Sequence, residues 1–248
     1  MILAHSVLIL AAFVAGAQNA LAGGGTFITF PALLYAGLDP RAANITSAVA
    51  LFPGTVTAGI AGRRLVMGTA GLSIRTLVAL SLIGGALGAC LLLATPMSLL
   101  TRLVPYLVLF ATGVFAWGSF IHKARDDVEV RLGARATGCV QLMIGIYGGY
   151  FAGGIGVLML AVLSAAGSPV RNAVATKNML ASMMGASSVL IFLFQMRFDW
   201  LLVLYVAVAA IFGGLVGVYA LRRINETALC IGITLIGLAV TVGLFIRY

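Results

Sequence analysis

The sequence predicts an all-α polytopic membrane protein made of two inverted repeats, each containing a broken or re-entrant short helix. The first observation is composition: 62% of the 248 residues are hydrophobic and 8% are charged, far outside the range of soluble domains. The second is a glycine-rich segment that occurs twice, and the third is the placement of arginine pairs. Together they predict about 8 to 10 membrane segments.

Several uncharged stretches are long enough to cross a bilayer, which takes roughly 20 apolar residues in a helix. They cover residues 42–62, 76–101, 103–121, 136–170, 200–221 and 227–246. Too little of the chain remains for a separate soluble domain.

The net charge fits a membrane protein. Fifteen basic residues against six acidic ones would suggest nucleic-acid binding in a soluble protein. Here the basic residues lie mostly between the hydrophobic stretches, as in loops that set membrane orientation. We therefore expect the lipid bilayer, and no nucleic acid, as a partner. Cys90, Cys139 and Cys230 lie in apolar stretches without metal-ligand spacing, so we expect buried free thiols and neither metal nor cofactor.

The repeated segment aligns without gaps at an offset of 130 residues, from Gly24 to Gly154. Its shared residues are Ala22, Gly23, Gly24, Leu33, Ala36, Gly37, Arg41, Ala43 and Thr46 in the first copy, and Ala152, Gly153, Gly154, Leu163, Ala166, Gly167, Arg171, Ala173 and Thr176 in the second. The order of these residues predicts two homologous halves, each built around a glycine-interrupted hydrophobic segment.

In the first half, residues 2–21 predict a helix that ends at Gly23-Gly24-Gly25, because three glycines make continued helix costly. A segment of about twelve residues follows, roughly 18 Å long and too short for a core of about 30 Å. It predicts a half-helix or re-entrant segment. Further helices are predicted over residues 42–61, 70–93 and 98–121.

The second half repeats this order after a hydrophilic linker over residues 122–135. The predicted elements are a helix over 134–152, a break at Gly153-Gly154, a short segment over 156–167, and helices over 171–195, 199–221 and 226–247. The two repeats therefore span residues 1–121 and 136–248. Glycines in the fourth segment of each half predict close helix packing in lipid: Gly84, Gly85 and Gly88 in one, Gly213, Gly214 and Gly217 in the other.

Orientation follows from the arginines. Arg63-Arg64 follows the third segment of the first half, whereas Arg222-Arg223 follows the fourth segment of the second. Cytoplasmic loops are enriched in Lys and Arg, so both pairs and the basic linker should be cytoplasmic. The linker residues concerned are His122, Lys123, Arg125, Arg131 and Arg135. This placement requires oppositely oriented halves and predicts that both termini are periplasmic.

Inverted repeats with discontinuous helices are typical of transporters, whose broken ends meet near the membrane midplane. A helix start presents backbone N–H groups and partial positive charge, which suit an anion. We therefore expect a small anionic substrate between the halves. The candidate substrate-binding residues are Asn19, Gly23, Gly24, Gly25, Thr46, Ser47, Gly153, Gly154, Thr176, Lys177 and Asn178.

Lys177 is the only charged side chain in residues 172–196. An ionisable residue at such depth is a functional hypothesis by default; the alternative is that it extends to the interface about 10 Å away. Arg41 and Arg171 are interfacial anchors or guide anions inward. Thr46, Ser47 and Thr176 bind substrate, or cap and pack helices.

Carboxylates, the usual proton relays of pumps, are missing from the interior of the predicted spans, because Asp39, Asp199 and Glu226 lie at segment ends. Three alternatives therefore stay open: a coupled proton that travels on the substrate, one that travels through a residue at a segment end, and facilitated movement of the anion down its gradient. The sequence leaves the oligomeric state open as well, a homodimer included.

These residues resemble the TauE/SafE family of sulfite and organosulfonate exporters, also called the toluene-sulfonate uptake permease family. The resemblance covers nearly the whole chain and is carried by the following motifs: Gly23-Gly24-Gly25 followed by Phe30-Pro31-Ala32-Leu33, the Gly37-to-Thr46-Ser47 spacing, and Ala175-Thr176-Lys177-Asn178 followed by Asp199-Trp200. It implies a bacterial inner-membrane permease with about eight spanning helices, for sulfite, thiosulfate, sulfoacetate or related anions. Ile155 stands where the fuller glycine pattern would continue.

Two other functions are compatible with the sequence. A passive anion channel shares the same chemistry. An intramembrane enzyme would need a nucleophile such as Ser187 or Ser188, but neither has a histidine or acidic residue near it in the sequence. We therefore expect a non-enzymatic transporter.

Overall fold

The computed structural model describes residues 2–21, 24–118, 132–195, 199–220 and 226–247. These ranges form ten α-helices and a 3₁₀ turn at Arg63–Leu65, and they contain no β-strand, so the all-α prediction is confirmed. The helices are α1 Ile2–Leu21, α2 Thr26–Tyr35, α3 Pro40–Ala61, α4 Ile74–Ala94, α5 Met97–Ala116, α6 Ala134–Tyr150, α7 Ile155–Ala165, α8 Val170–Gln195, α9 Trp200–Ala220 and α10 Glu226–Arg247.

Four helices of the described ranges are long and apolar enough to cross a membrane: α3, α4, α5 and α8. Five shorter apolar helical stretches accompany them, at Ser6–Asn19, Thr26–Tyr35, Ile155–Ala165, Trp200–Val216 and Gly237–Ile246. Residues 119–131, which include most of the predicted linker, lie outside the described residues, as do Gly23, Arg222 and Arg223.

Both breaks occur where glycines interrupt the apolar runs. Gly24 has φ +98° and Gly154 has φ +76°, a left-handed conformation that strongly favours glycine. Helices α2 and α7, which start after the breaks, have 10 and 11 residues. At 1.5 Å per residue they are about 15 to 17 Å long, half of a bilayer core.

The two short helices also end in the same way. Gly37 has φ +99° and Gly167 has φ +85°, and each closes its helix with the paired hydrogen bonds of a Schellman motif. These bonds run from Leu38 N–H to the Leu33 carbonyl and from Gly37 N–H to the Leu34 carbonyl, and 130 residues later from Ser168 N–H to Leu163 and from Gly167 N–H to Ser164. The local backbone geometry therefore recurs at the offset at which the sequence recurs.

The next helix of the first half starts immediately. Asp39 caps α3 by accepting hydrogen bonds from the backbone N–H groups of Arg41 and Ala42, and Pro40 occupies the first helical position, where its missing N–H costs nothing. Helix α3 therefore begins at Pro40, two residues before the predicted start.

Helices that hold the same position in the two halves pack against each other in opposite directions. This is so for α3 with α8 and for α5 with α10. The contacts that fix these directions are Phe52 with Gly185 and Gly62 with Ala175 for the first pair, and Tyr106 with Phe245 and Thr112 with Gly237 for the second. Helix α1 packs on α9, and its counterpart α6 packs on α4.

Glycine allows the closest of these contacts, as predicted for the fourth segments. A Cβ on Gly213 would lie 1.8 Å from the Phe13 carbonyl oxygen, and one on Gly88 would lie 2.1 Å from that of Ile146. A Cβ on Gly84 would lie 2.8 Å from the Gly145 Cα of α6, and one on Gly85 would lie 2.4 Å from the Met184 carbonyl oxygen of α8. The close-packing prediction is confirmed at these four positions. A Cβ on Gly214 would make only ordinary contact, 3.6 Å from the Gly16 carbonyl oxygen, and Gly217 lies outside the described side chains.

The prediction of buried cysteines is wrong for Cys90 and Cys139, which are both free and exposed on the outer surface of the helices. An apolar stretch marks a helix that lies in lipid, but it does not tell which face of the helix contacts lipid and which contacts protein. The side chain of Cys230 lies outside the described residues.

Because α1 and α9 meet through backbone at Gly213, we expect Gly213→Val to destabilise the protein by about 3 kcal/mol or more, the upper range for overpacking. Thermal unfolding in detergent measures the change. Gly113→Val is the matched control, because a Cβ at Gly113 meets nothing within 4 Å. Equal melting temperatures for the two variants would contradict the close α1–α9 contact.

Candidate functional site

A cavity of about 300 Å³ lies among α1, α3, α6, α8 and α9. It is mainly apolar, with Phe52, Phe192 and Leu215 on its wall. Its polar lining side chains are Asn19, Thr26, Asn44, Thr55, Thr57, Tyr150, Lys177, Asn178 and Ser188. One cation and three carboxamides therefore face an apolar chamber large enough for a small organic molecule.

Both helix breaks reach this cavity. Gly24 and Asn19 line it from the first break, and Tyr150 and Ala152 line it from the second. The two breaks lie more than a hundred residues apart in the chain, so the fold brings them to one chamber.

Lys177 is the basic group of the cavity wall. It lies about two turns into α8, and only 5% of its surface is exposed. In the described ranges, no carboxylate forms an ion pair with it: Asp39 and Asp199 accept hydrogen bonds from backbone N–H groups at the exposed starts of α3 and α9. A buried ammonium without a counterion is costly, and an anion placed beside Lys177 would offset that cost.

The position of the first half that corresponds to Lys177 is Ser47, which has different surroundings. Ser47 is fully buried, and its hydroxyl forms a hydrogen bond with the Thr29 hydroxyl of α2. The residue 130 positions after Thr29 is Met159 of α7, whose side chain offers Lys177 no oxygen. The two halves therefore differ in chemistry at corresponding points.

The hydroxyl of Thr176, next to Lys177, is hydrogen-bonded to the loop between α3 and α4. It accepts a hydrogen bond from the Met67 N–H at 3.2 Å and lies 3.3 Å from the Met67 carbonyl oxygen, to which it can donate. Thr46 is buried, with 6% of its surface exposed. Thr46, Ser47 and Thr176 do not line the cavity in this conformation.

The remaining predicted glycines support the breaks from outside the cavity wall. Gly25 packs against the Ala15 carbonyl oxygen at the start of α2. Gly153 accepts a hydrogen bond at its carbonyl oxygen from the Tyr147 hydroxyl, at 2.8 Å. Gly154 adopts the left-handed conformation before α7.

The predicted guiding arginines also lie away from the cavity. Arg41 donates to the main-chain carbonyl of Thr95, so it ties the start of α3 to the end of α4. Arg171 is exposed at the start of α8. The fold thus gathers Asn19, Gly24, Lys177 and Asn178 at the cavity and leaves the other described candidates around it.

Sequence reasoning missed Asn44, whose side-chain amide donates to the Tyr150 carbonyl oxygen at 2.7 Å. It also missed the hydroxyls of Thr55 and Thr57, and the aromatic wall. The sequence does show Asn44 as a polar residue one turn into an apolar stretch. No sequence pattern indicates its partner, the backbone carbonyl of Tyr150, which lies 106 residues away.

Ser187 and Ser188, considered above as nucleophiles, form hydrogen bonds to backbone carbonyl oxygens of helices. Ser188 donates to the Gly85 or the Met184 carbonyl oxygen, each at 3.0 Å, and Ser187 donates to the Met184 carbonyl oxygen at 2.9 Å. Such bonds are typical of serines that pack helices in lipid.

Comparison with known proteins gives a consistent result. The family model described as sulfite exporter TauE/SafE matches residues 8–245. The chain is 28% identical to a probable membrane transporter protein of Haemophilus influenzae over 201 residues, 79% of this chain and 76% of the relative. It is 32% identical to the probable membrane transporter protein ORF9 of a Sinorhizobium species over 194 residues, 75% and 71% of the two chains. A third relative, probable membrane transporter protein YfcA of Escherichia coli, is 27% identical over 199 residues, 78% and 72%.

Lys177 and Lys123 are the only lysines of the chain, so amine chemistry can test the cavity. In a Lys123→Arg background, we expect a small neutral acylating reagent to modify Lys177. Adding Ala181→Trp should slow this modification several-fold, because Ala181 lines the cavity and an indole there would fill it. Mass spectrometry of the digested protein measures the rate.

The matched control is Ala94→Trp, which places the same side chain at an exposed position outside the cavity lining. Equal slowing by both substitutions would argue that Lys177 does not face the chamber.

Proposed function

The chain belongs to the TauE/SafE sulfite exporter family, and from this membership we propose a permease that carries a small sulfur-containing anion, such as sulfite, thiosulfate or an organosulfonate. The relatives are named as probable membrane transporters, and the apolar helices make this a multi-pass membrane protein. The substrate binds in the cavity between the two breaks. The membrane is the bacterial inner membrane.

The observation that carries this proposal is the buried Lys177 on the cavity wall. Within the described ranges it has no carboxylate partner, and the cost of burying its charge is offset when an anion binds beside it. Asn178 and Asn19 line the same cavity and can donate hydrogen bonds to substrate oxygens. The predicted roles of Thr46, Ser47 and Thr176 as direct donors require these hydroxyls to leave their present surroundings.

The packing supports an inverted arrangement of the two repeats, residues 1–121 and 136–248, joined by the linker 122–135. Corresponding helices run in opposite directions in the pairs α3 with α8 and α5 with α10. In inverted-repeat transporters, one half moves against the other around a site at their interface. Placing Arg63, Arg64 and the basic linker in the cytoplasm leaves both termini periplasmic.

The cavity wall favours an organosulfonate among the candidate anions. An inorganic oxyanion is fully polar, whereas this wall combines one cation with Phe52, Phe192 and Leu215. An anionic head beside Lys177 and an apolar body against the aromatic rings would satisfy both parts of the wall.

We expect Lys177→Met to weaken anion binding by about 10- to 100-fold, since a hydrogen bond to a charged group contributes about 1.5 to 3 kcal/mol. Isothermal titration of the purified protein with sulfite, thiosulfate, sulfoacetate, toluene sulfonate, sulfate and a carboxylate control measures the affinity.

Lys177→Arg, which keeps the charge, should retain more binding than Lys177→Met. Arg171→Met removes an exposed cation outside the cavity and should bind as the parent protein does. Unchanged affinity in Lys177→Met would sink the proposed role of this residue.

The aromatic wall makes a separate prediction. Phe52→Ala should weaken the binding of toluene sulfonate by about 3- to 10-fold, in line with aromatic contacts of about 0.5 to 1.5 kcal/mol, and should affect sulfite less. Phe194→Ala, at a site that is 81% exposed, serves as the control in the same titration. Equal losses for both anions would point to a general distortion of the cavity.

A further inference from the structure

Asn44 links the wall of the cavity to the second break. Its side chain is buried, with 6% of its surface exposed, and it lines the cavity from α3. Its amide donates to the Tyr150 carbonyl oxygen at 2.7 Å. Tyr150 is the last residue of α6, so this carbonyl has lost the N–H partner that a continuing helix would supply. Asn44 replaces that partner.

Two further side-chain hydrogen bonds hold the same break, but neither joins it to a cavity-lining residue of the first half. The Tyr147 hydroxyl donates to the Gly153 carbonyl oxygen at 2.8 Å, within the break itself. The Tyr150 hydroxyl donates to the Thr95 hydroxyl oxygen at 3.3 Å, and Thr95 does not line the cavity. Of these three bonds, the one from Asn44 joins the first half of the chain to the break across the cavity wall.

The corresponding position in the second half cannot form such a bond. The residue 130 positions after Asn44 is Val174, which has no side-chain donor. The hydrogen bond from Asn44 therefore holds the second break, whereas Val174, the corresponding residue of α8, cannot form such a bond to the first break.

We infer that Asn44 is a positioning residue that holds the second break closed, and that the cavity opens toward this break when the bond between Asn44 and Tyr150 is released. The inference rests on the proposed transport function, because a transporter exposes its site alternately at two ends. One neutral hydrogen bond contributes little net free energy, so both conformations of such a gate can be populated.

Thiol accessibility tests the gate without any substrate. The background has Cys90, Cys139 and Cys230 replaced by alanine, and Ala152→Cys places a reporter on the cavity wall beside the second break. In nanodiscs, where a hydrophilic maleimide reaches both faces, we expect Asn44→Leu to raise the labelling rate of this reporter about three- to tenfold, the shift that loss of one hydrogen bond produces. Leucine has nearly the shape of asparagine and cannot donate.

Two controls separate a gate from general loosening. Asn172 makes a similar bond, from its side-chain amide to the Leu65 carbonyl oxygen at 2.8 Å, but neither residue lines the cavity. Asn172→Leu should leave the labelling of Ala152→Cys unchanged. A second reporter, Thr57→Cys, lies on the cavity wall about 20 Å farther along α3, and its labelling should not respond to Asn44→Leu.

The outcomes decide the inference in either direction. Unchanged labelling of Ala152→Cys in a folded Asn44→Leu protein, or an equal increase in Asn172→Leu, would overturn it. Should Asn44→Leu fail to fold, Asn44→Ala replaces it with the same expected results. Because the labelling uses no anion, a failure to bind any sulfur compound would overturn the proposed substrate and leave the gate measurement valid.

Discussion

The structure depends on one constraint: a backbone that leaves the helix inside a membrane must find hydrogen-bond partners within the protein. The chain does this at two glycine breaks. At the first, the Gly24 and Gly25 carbonyl oxygens accept the opening bonds of α2. At the second, the carbonyl oxygens of Tyr150 and Gly153 are satisfied by the side chains of Asn44 and Tyr147. Asn44, which satisfies the Tyr150 carbonyl, also lines the cavity, so one side chain serves both the second break and the cavity wall.

Close helix contacts make these breaks possible. Gly84, Gly85 and Gly88 bring α4 against α6 and α8, and Gly213 brings α9 against α1. Helices that meet through backbone leave no room for rearrangement at the contact. The α1–α9 and α4–α6 pairs are therefore tightly packed, and α1, α6 and α9 each contribute residues to the cavity wall. The helices thus meet through close backbone contacts, whereas the second break is held by side-chain hydrogen bonds.

The two halves are alike in backbone and unlike in side-chain chemistry. The left-handed glycines and Schellman motifs recur at a constant offset, because they set the length and direction of the short helices. The side chains that follow differ: Ser47 is bonded to Thr29, whereas Lys177 lines the cavity and Met159 occupies the position that corresponds to Thr29. Asn44 clamps one break, and Val174 stands at the corresponding position. The proposed anion would contact both halves at once, and a site with its one cation on one side needs no chemical symmetry.

The sequence by itself determined the helices, the breaks and the family, because glycine conformation, apolar length and repeat spacing act locally along the chain. It also singled out Lys177, since a lone charge in an apolar stretch is visible without any neighbours. Only the tertiary structure decided which candidates share the cavity. The Thr176 side chain is hydrogen-bonded to Met67 in the α3–α4 loop, and the Arg41 side chain to Thr95 at the end of α4. The Asn44 side chain is hydrogen-bonded to a break 106 residues away. The physical reason is that a hydrogen-bond donor can satisfy any buried acceptor that the packing brings within reach, and the sequence carries no record of which one that will be.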